Sequence, residues 1–255
     1  MKWFVSEGSV VREIWGKADT ILFIFAGASA EFAVNKAVDW LYFTGKLPAD
    51  PLGRLFSTVG YARKIVFAEY DDAMNAIDQI TAIHKQVENK RGAQIPDWAY
   101  RDVLFMLIDY SIRSFELLER KLTTEEKSEM FHVFNQVGLR MGIAGLPESL
   151  AEWERMREEH LSENLTKSNF SVDLYKQYKK HLGPGRYHLL MQVQAQLAPG
   201  QVNTLLNLGR GLAMDFILPV YKFMRIVGLH HLLRNLILPG KYKSEILGLD
   251  ERQAI

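Results

Sequence analysis

Histidine 84 stands in "DQITAIHKQVE", residues 78–88, where a helix should show an apolar side. Counting from Met74, the positions Ile77, Ile80 or Thr81, His84 and Val87 recur every three to four residues, the period of an amphipathic helix. The imidazole is therefore expected on the inward stripe, where it needs a partner. That partner is either a buried hydroxyl or carbonyl, as for most lone core histidines, or a metal or haem iron, for which neutral imidazole is the commonest nitrogen ligand. Upstream, Arg54, Thr58 and Tyr61 fall at i, i+4 and i+7, so a guanidinium, a hydroxyl and a phenol share one helix face. Leu55, Val59, Ala62 and Val66 form the apolar stripe beside them. On spacing alone this is a boundary face; it becomes a site if it looks toward His84.

Other chemistries lack their residues. The pairs "GPG" at 183–185 and "GRG" at 209–211 have no third glycine in register, and "GKY" at 240–242 has no hydroxyl after its lysine, so dinucleotide and P-loop motifs are absent. "GASAE" around Ser29 has neither a closing glycine nor a preceding strand, which excludes a nucleophile elbow. A carboxylate-bridged diiron bundle needs two Glu-x-x-His helices, and Glu129 with His132 is the single match, so His132 reads as structural. His230 and His231 are neighbours, about 100° apart on a helix, and cannot share one ion unaided. With 0 cysteines, disulfides, Cys-based zinc, iron–sulfur clusters and thiolate-ligated haem are excluded. A net charge of +1 gives no electrostatic case for nucleic acid.

The elements that must position these residues are signalled clearly. Asp50 before Pro51 opens a helix to about Phe67. "EYDDAMNAIDQITAIHKQVE" carries His84 and ends in the polar "NKRGAQ". Asp97 after Pro96 is expected to cap a helix with an apolar stripe of Val103, Leu104, Leu107, Ile108, Phe115 and Leu118. Thr123 with Glu126 and Ser149 with Glu152 read as capping boxes. The stretch 148–163, with six Glu against two Arg, reads as a solvated helix face. Ser171 is expected to start a helix that "GPG" ends, followed by helices at about 186–197, 199–208 and 213–237, the last kinked at Pro219. No run shows the alternation of a half-buried strand, so the fold class is all-α. No linker divides the chain; residues 1–210 are expected as the main domain and 211–255 as a C-terminal amphipathic helical segment packed on or beside it. Between 211 and 243 five Lys or Arg face one Asp, a pattern that suits a docked helix or a peripheral membrane contact through 213–238. The start "MKWFVSEGSVV" is too polar for a signal peptide and "ILFIFAGASA" stops at Glu31, well short of the ~20 residues that cross a bilayer, so a cytoplasmic protein is expected.

The succession "DPLGRLFST", "AIHKQVE", "PDWAYRDVLFMLIDYSIRSFELLERKLTTEEK" and "MGIAGLPESLAEW" resembles the MpaB-type oxygenases, the haem family that includes the rubber-cleaving latex-clearing proteins, across roughly residues 9–210. That resemblance implies a globin-like helical core around haem b, and an activity that cleaves isoprenoid double bonds with dioxygen. It places the proximal histidine on His84 and the Arg-x-x-x-Thr pair of the haem pocket on Arg54 and Thr58, with Tyr61 beside them. The chain departs from the pattern at Thr81 and Glu88, where relatives carry arginines, and at Ser57, where some rubber oxygenases carry lysine. It departs again at Ala28-Ser29 and Leu104, and Glu31 and Asp39 are weak candidates for the family's catalytic glutamate. The expectation is a haem b-dependent oxygenase using dioxygen on a hydrophobic, isoprenoid or lipid-like small molecule. The alternative is a non-catalytic haem- or hydrophobic-ligand-binding protein of the same fold.

Overall fold

A helix that is apolar on nearly every side has to sit at the centre of its domain. In the computed structural model, which describes residues 2–226, that helix is preceded only by α1 (Val10–Trp15), capped by the Ser9 side chain on the Val11 amide. It is α2 (Ala18–Val34), and its buried residues Ile21, Ile24, Phe25, Ala30 and Val34 face all its neighbours. Two short helices, α3 (Val38–Phe43) and α4 (Lys46–Ala49), lead to α5 (Pro51–Val66) and α6 (Tyr70–Arg91). Then come α7 (Asp97–Leu118), α8 (Thr124–Met141), α9 (Leu150–Glu163) and α10 (Asn169–Leu197). The short α11 (Gly200–Leu206) precedes α12 (Leu212–Ile226). Among the described residues there is no strand, and the only ladder-type contacts are isolated bridges at Trp3–Glu69 and Asn35–Leu165. The expectation of an all-α single domain is met.

The central pair is α2 against α7, with α10 on the other side of α2. Close approach depends on Gly27: a Cβ there would lie 2.4 Å from a ring carbon of Tyr110, which is fully buried on α7. Around this pair Trp15, Phe25, Phe105, Phe115, Phe131, Phe134 and Trp153 form one continuous core, and Met214, Leu218 and Tyr221 of α12 belong to it too. A smaller cluster of Ile65, Ala73, Ala76, Ile77 and Val137 ties α5 and α6 to α8.

Several boundaries follow the local chemistry. Asp50 accepts from the Gly53 amide at 3.1 Å with Pro51 opening α5, and α6 ends at Gly92 in the left-handed conformation, φ 68°. The Thr123–Glu126 capping box is complete. At Ser149 half the box forms: its hydroxyl accepts from Glu152 N, but the Glu152 carboxylate turns to the Glu148 amide instead. Pro96 is the N-cap of α7 and Asp97 its first residue, one position earlier than expected. The cap of α10 is Ser168, with Ser171 as the reciprocal member of its box, so that helix starts earlier than the sequence suggested. Gly183, at φ 74° and ψ 168° before Pro184, breaks the path of α10 where "GPG" predicted a stop. Val103 is exposed, because the inward face of α7 runs through Leu104, Phe105 and Ile108. His230, His231 and the rest of the 227–238 stretch lie outside the described residues.

Candidate functional site

The first half of α6 buries Ala73, Ala76 and Ile77; beyond Ile80 the core recedes, and His84 is left half-buried where the helix leaves the body of the fold. Its Nδ1 is enclosed and makes no hydrogen bond of normal geometry. The edge of its ring meets Tyr100 of α7 in a T-shaped contact, centroids 5.2 Å apart and planes at 88°. Burial, then the positive charge of Arg54, push the His84 pKa below its ordinary value, against the weaker pull of Glu88 and the Ile80 carbonyl one turn back. The ring is neutral at physiological pH, the protonation state that offers a lone pair.

Arg54 reaches this ring from α5. Its guanidinium donates to Ser57 Oγ and Thr58 Oγ1, both at 3.1 Å, and no carboxylate among the described residues pairs with it. Thr58 Oγ1 also donates back to the Arg54 carbonyl at 3.3 Å. Burial draws the Arg54 pKa down, Tyr61 draws it up, and a guanidinium stays charged regardless. A half-buried cation supported only by hydroxyls is incompletely balanced, since cations drawn out of water ordinarily find a carboxylate. Arg54, Thr58 and Tyr61 therefore lie on one face of α5, and the charge of Arg54 is felt at His84.

On its open side His84 lines a cleft of about 470 Å³ with Thr81, Glu88, Tyr100, Met141 and Ile143. Arg54, Thr58 and Tyr61 stand outside that lining. Glu88, one turn after His84, spans the cleft: its Oε1 accepts from Ile95 N at 2.8 Å and from the Tyr100 hydroxyl at 3.2 Å. Burial and Glu88 raise the Tyr100 pKa, so the phenol keeps its proton and the clasp holds. The Glu88 carboxylate thus pins the α6–α7 connection.

The sequence reading missed a second, sealed constellation. Arg157 and His160 of α9 are each 4% exposed, so the acid-rich helix is not solvated all round. Arg157 forks onto the Glu31 carboxylate of α2, with Nη2 2.6 Å from Oε2, and reaches Asp109 Oδ2 of α7 through Nε at 3.1 Å and Nη2 at 2.9 Å. Tyr110 donates to Glu31 at 3.0 Å. His160 bridges two carboxylates, Nε2 3.1 Å from Glu31 and Nδ1 2.6 Å from Asp102, the latter as a charge contact without hydrogen-bond alignment. Burial opposes charge on both partners, but Arg157 and His160 outweigh it and hold the Glu31 pKa down at about 2, while Asp102 and Glu31 raise that of His160. Glu31 is thereby committed on every side and has no access to a substrate, and Asp39 pairs with Arg91 at 2.6 Å. Neither serves as a free base.

Among the described residues no three His, Asp or Glu side chains stand together as a metal-ion site. The residues around His84 fit a haem group in kind: a neutral imidazole with an unsatisfied buried nitrogen, next to a guanidinium lacking its anion. The cleft volume lies within the range of about 300–1,000 Å³ usual for small-molecule sites. No helix among the described residues is long and apolar enough to cross a membrane.

Compared with known families, the chain matches the one described as "ER-bound oxygenase mpaB/B'/Rubber oxygenase, catalytic domain" over residues 15–229. No curated protein and no solved structure matches it significantly.

Proposed function

The chain belongs to the mpaB/rubber oxygenase catalytic-domain family, and from that premise we propose that it is a haem b-dependent oxygenase acting on a hydrophobic, isoprenoid or lipid-like small molecule at a double bond. The observation that carries the reading is the pairing of a neutral, incompletely bonded imidazole with a half-buried guanidinium that has no carboxylate partner among the described residues, on adjoining helices. His84 holds the cofactor through one ring nitrogen, and the Ile80 carbonyl biases the ring from within the helix. Arg54 balances a negative group, a cofactor carboxylate or an anionic oxygen, by charge-assisted hydrogen bonds. The Thr58 hydroxyl, whose 3.3 Å contact to its own helix is long, would be available to donate to an oxygen held near Arg54. Haem, when bound, supplies the activation of dioxygen; the protein excludes water and aims the alkene. Met141 and Ile143 supply apolar contacts in a cleft that Lys85, Glu88 and Asp97 otherwise make polar.

The test is a haem titration of the purified protein followed by absorption, with His84→Ala beside wild type. A Soret band in wild type that is lost or displaced in the variant supports the assignment. Identical spectra, or no specific haem binding, would overturn it.

A further inference from the structure

Helix α12 is apolar on two opposite sides. Met214, Leu218 and Tyr221 recur at helical spacing and are buried in the main core, while the Tyr221 hydroxyl donates to Asp19 Oδ2 at 2.9 Å and Arg225 pairs with Asp19 and Glu119. That face fixes the helix to the body. The opposite face carries Leu212, Phe216, Val220 and Phe223, again at spacings of three and four, and these are exposed: 79% for Phe216 and 63% for Phe223. No charged side chain interrupts that row. Asp215, the one acid of the helix, stands to its side and accepts from Gln196. A contiguous row of large apolar side chains is ordinarily covered or marks a binding surface, and here that row is bare among the described residues.

Charge and area indicate what covers it. Taking about 150–200 Å² for each large apolar side chain, the exposed row with Ile217 amounts to roughly 500 Å², short of the roughly 800 Å² per partner in a stable protein interface. A lipid surface needs no such area and no matching shape. Arg210 is exposed just before the helix and Lys222 flanks its row. In the sequence after it Arg234, Lys241 and Lys243 follow, with no Asp or Glu between Asp215 and Glu245. Lys and Arg near an anionic bilayer each strengthen binding about fivefold, and Phe and Leu on a face free of charge enter the boundary between headgroups and acyl chains.

We infer that the exposed face of α12 docks on the surface of an anionic lipid bilayer, lying in the interface without spanning it. The inference is independent of what His84 holds. It is tested with the full chain and vesicles of phosphatidylcholine, alone or mixed with phosphatidylserine, by co-sedimentation at low and high salt. Wild type is expected to sediment with the mixed vesicles, less so at high salt, and Phe216→Glu with Phe223→Glu to lower that binding on the order of tenfold or more. The unchanged melting of the double variant shows that it folds. Because the chain has 0 cysteines, Val220→Cys carries a single environment-sensitive fluorophore, whose emission should shift to the blue on vesicles while that of an exposed α6 control, Gln79→Cys, does not. Absence of vesicle binding, binding indifferent to the two glutamates, or an unshifted probe at 220 overturns the inference. So does a wild-type dimer that the variant dissociates without any lipid binding, which would give the face to a second copy.

Discussion

Arg157→Met removes, among the described residues, the only guanidinium in contact with both Glu31 and Asp109, and leaves the two carboxylates across an apolar side chain with Arg113 still on Asp109 and His160 on Glu31. The fall of the Glu31 pKa from 4.5 to about 2 is worth about 3 kcal/mol in favour of the folded chain. Because folding depresses this pKa, that contribution is complete above about pH 4.5 and drains away as the pH falls toward 2. Direct experience with buried pairs gives a similar size, about 3–5 kcal/mol for loss of one partner. The variant should therefore be about 3–5 kcal/mol less stable at pH 7 in urea denaturation. At about 2–4 °C per kcal/mol for a chain of this size, the melting point should fall by ~10 °C. The pH dependence is the sharper assay. Without Arg157, His160 is left to oppose burial at Glu31 and the carboxyl becomes neutral more easily, so the deficit should shrink steadily from pH 7 to pH 4. A loss below about 1 kcal/mol at pH 7, or one equal at both pH values, would refute the reasoning and return Glu31 to the list of candidate bases.

Two further outcomes can be checked without any cofactor. Arg54→Met removes a positive neighbour, so the His84 imidazole should titrate at higher pH than in wild type, as followed by its NMR resonance; an unmoved resonance would separate Arg54 from the site. Gly27→Ala forces a methyl group against the Tyr110 ring at 2.4 Å and Leu197 Cβ at 3.2 Å, and should cost about 1–3 kcal/mol by overpacking, read from chemical denaturation.

What could be read in advance was whatever chemistry is local. Asp50-Pro51, Thr123 with Glu126 and the glycines at 92 and 183 act within one turn, so their helix ends were legible. The mistake at Ser168 and Ser171 was also local: both belong to the box, and either alone resembles a cap. His84 was legible because a titratable ring broke an apolar period. The same reasoning applied to Glu31, which interrupts the apolar run of α2, would have demanded a buried cation. On α9 the spacing of Trp153, Arg157, His160 and Leu161 marks an inward face that the surrounding glutamates disguised. The partnership itself was out of reach, since Glu31 and Arg157 are 126 positions apart and no periodicity links them.

The two hydrophobic groupings differ in what they guard. The charges of Glu31, Asp102, Asp109, Arg157 and His160 lock α2, α7 and α9 within the main body, whereas the patch that joins α6 to α5 and α8 lies along its first half and the second half, with His84, buries little. Segments with few buried contacts open at a fraction of the global cost. Amide protons around His84 should therefore exchange long before those of α2, while the rest of the chain remains folded. Under the proposed function, assembly and loading would be separate events: the scaffold would complete itself first, and the segment that bears His84 would open to take up the cofactor.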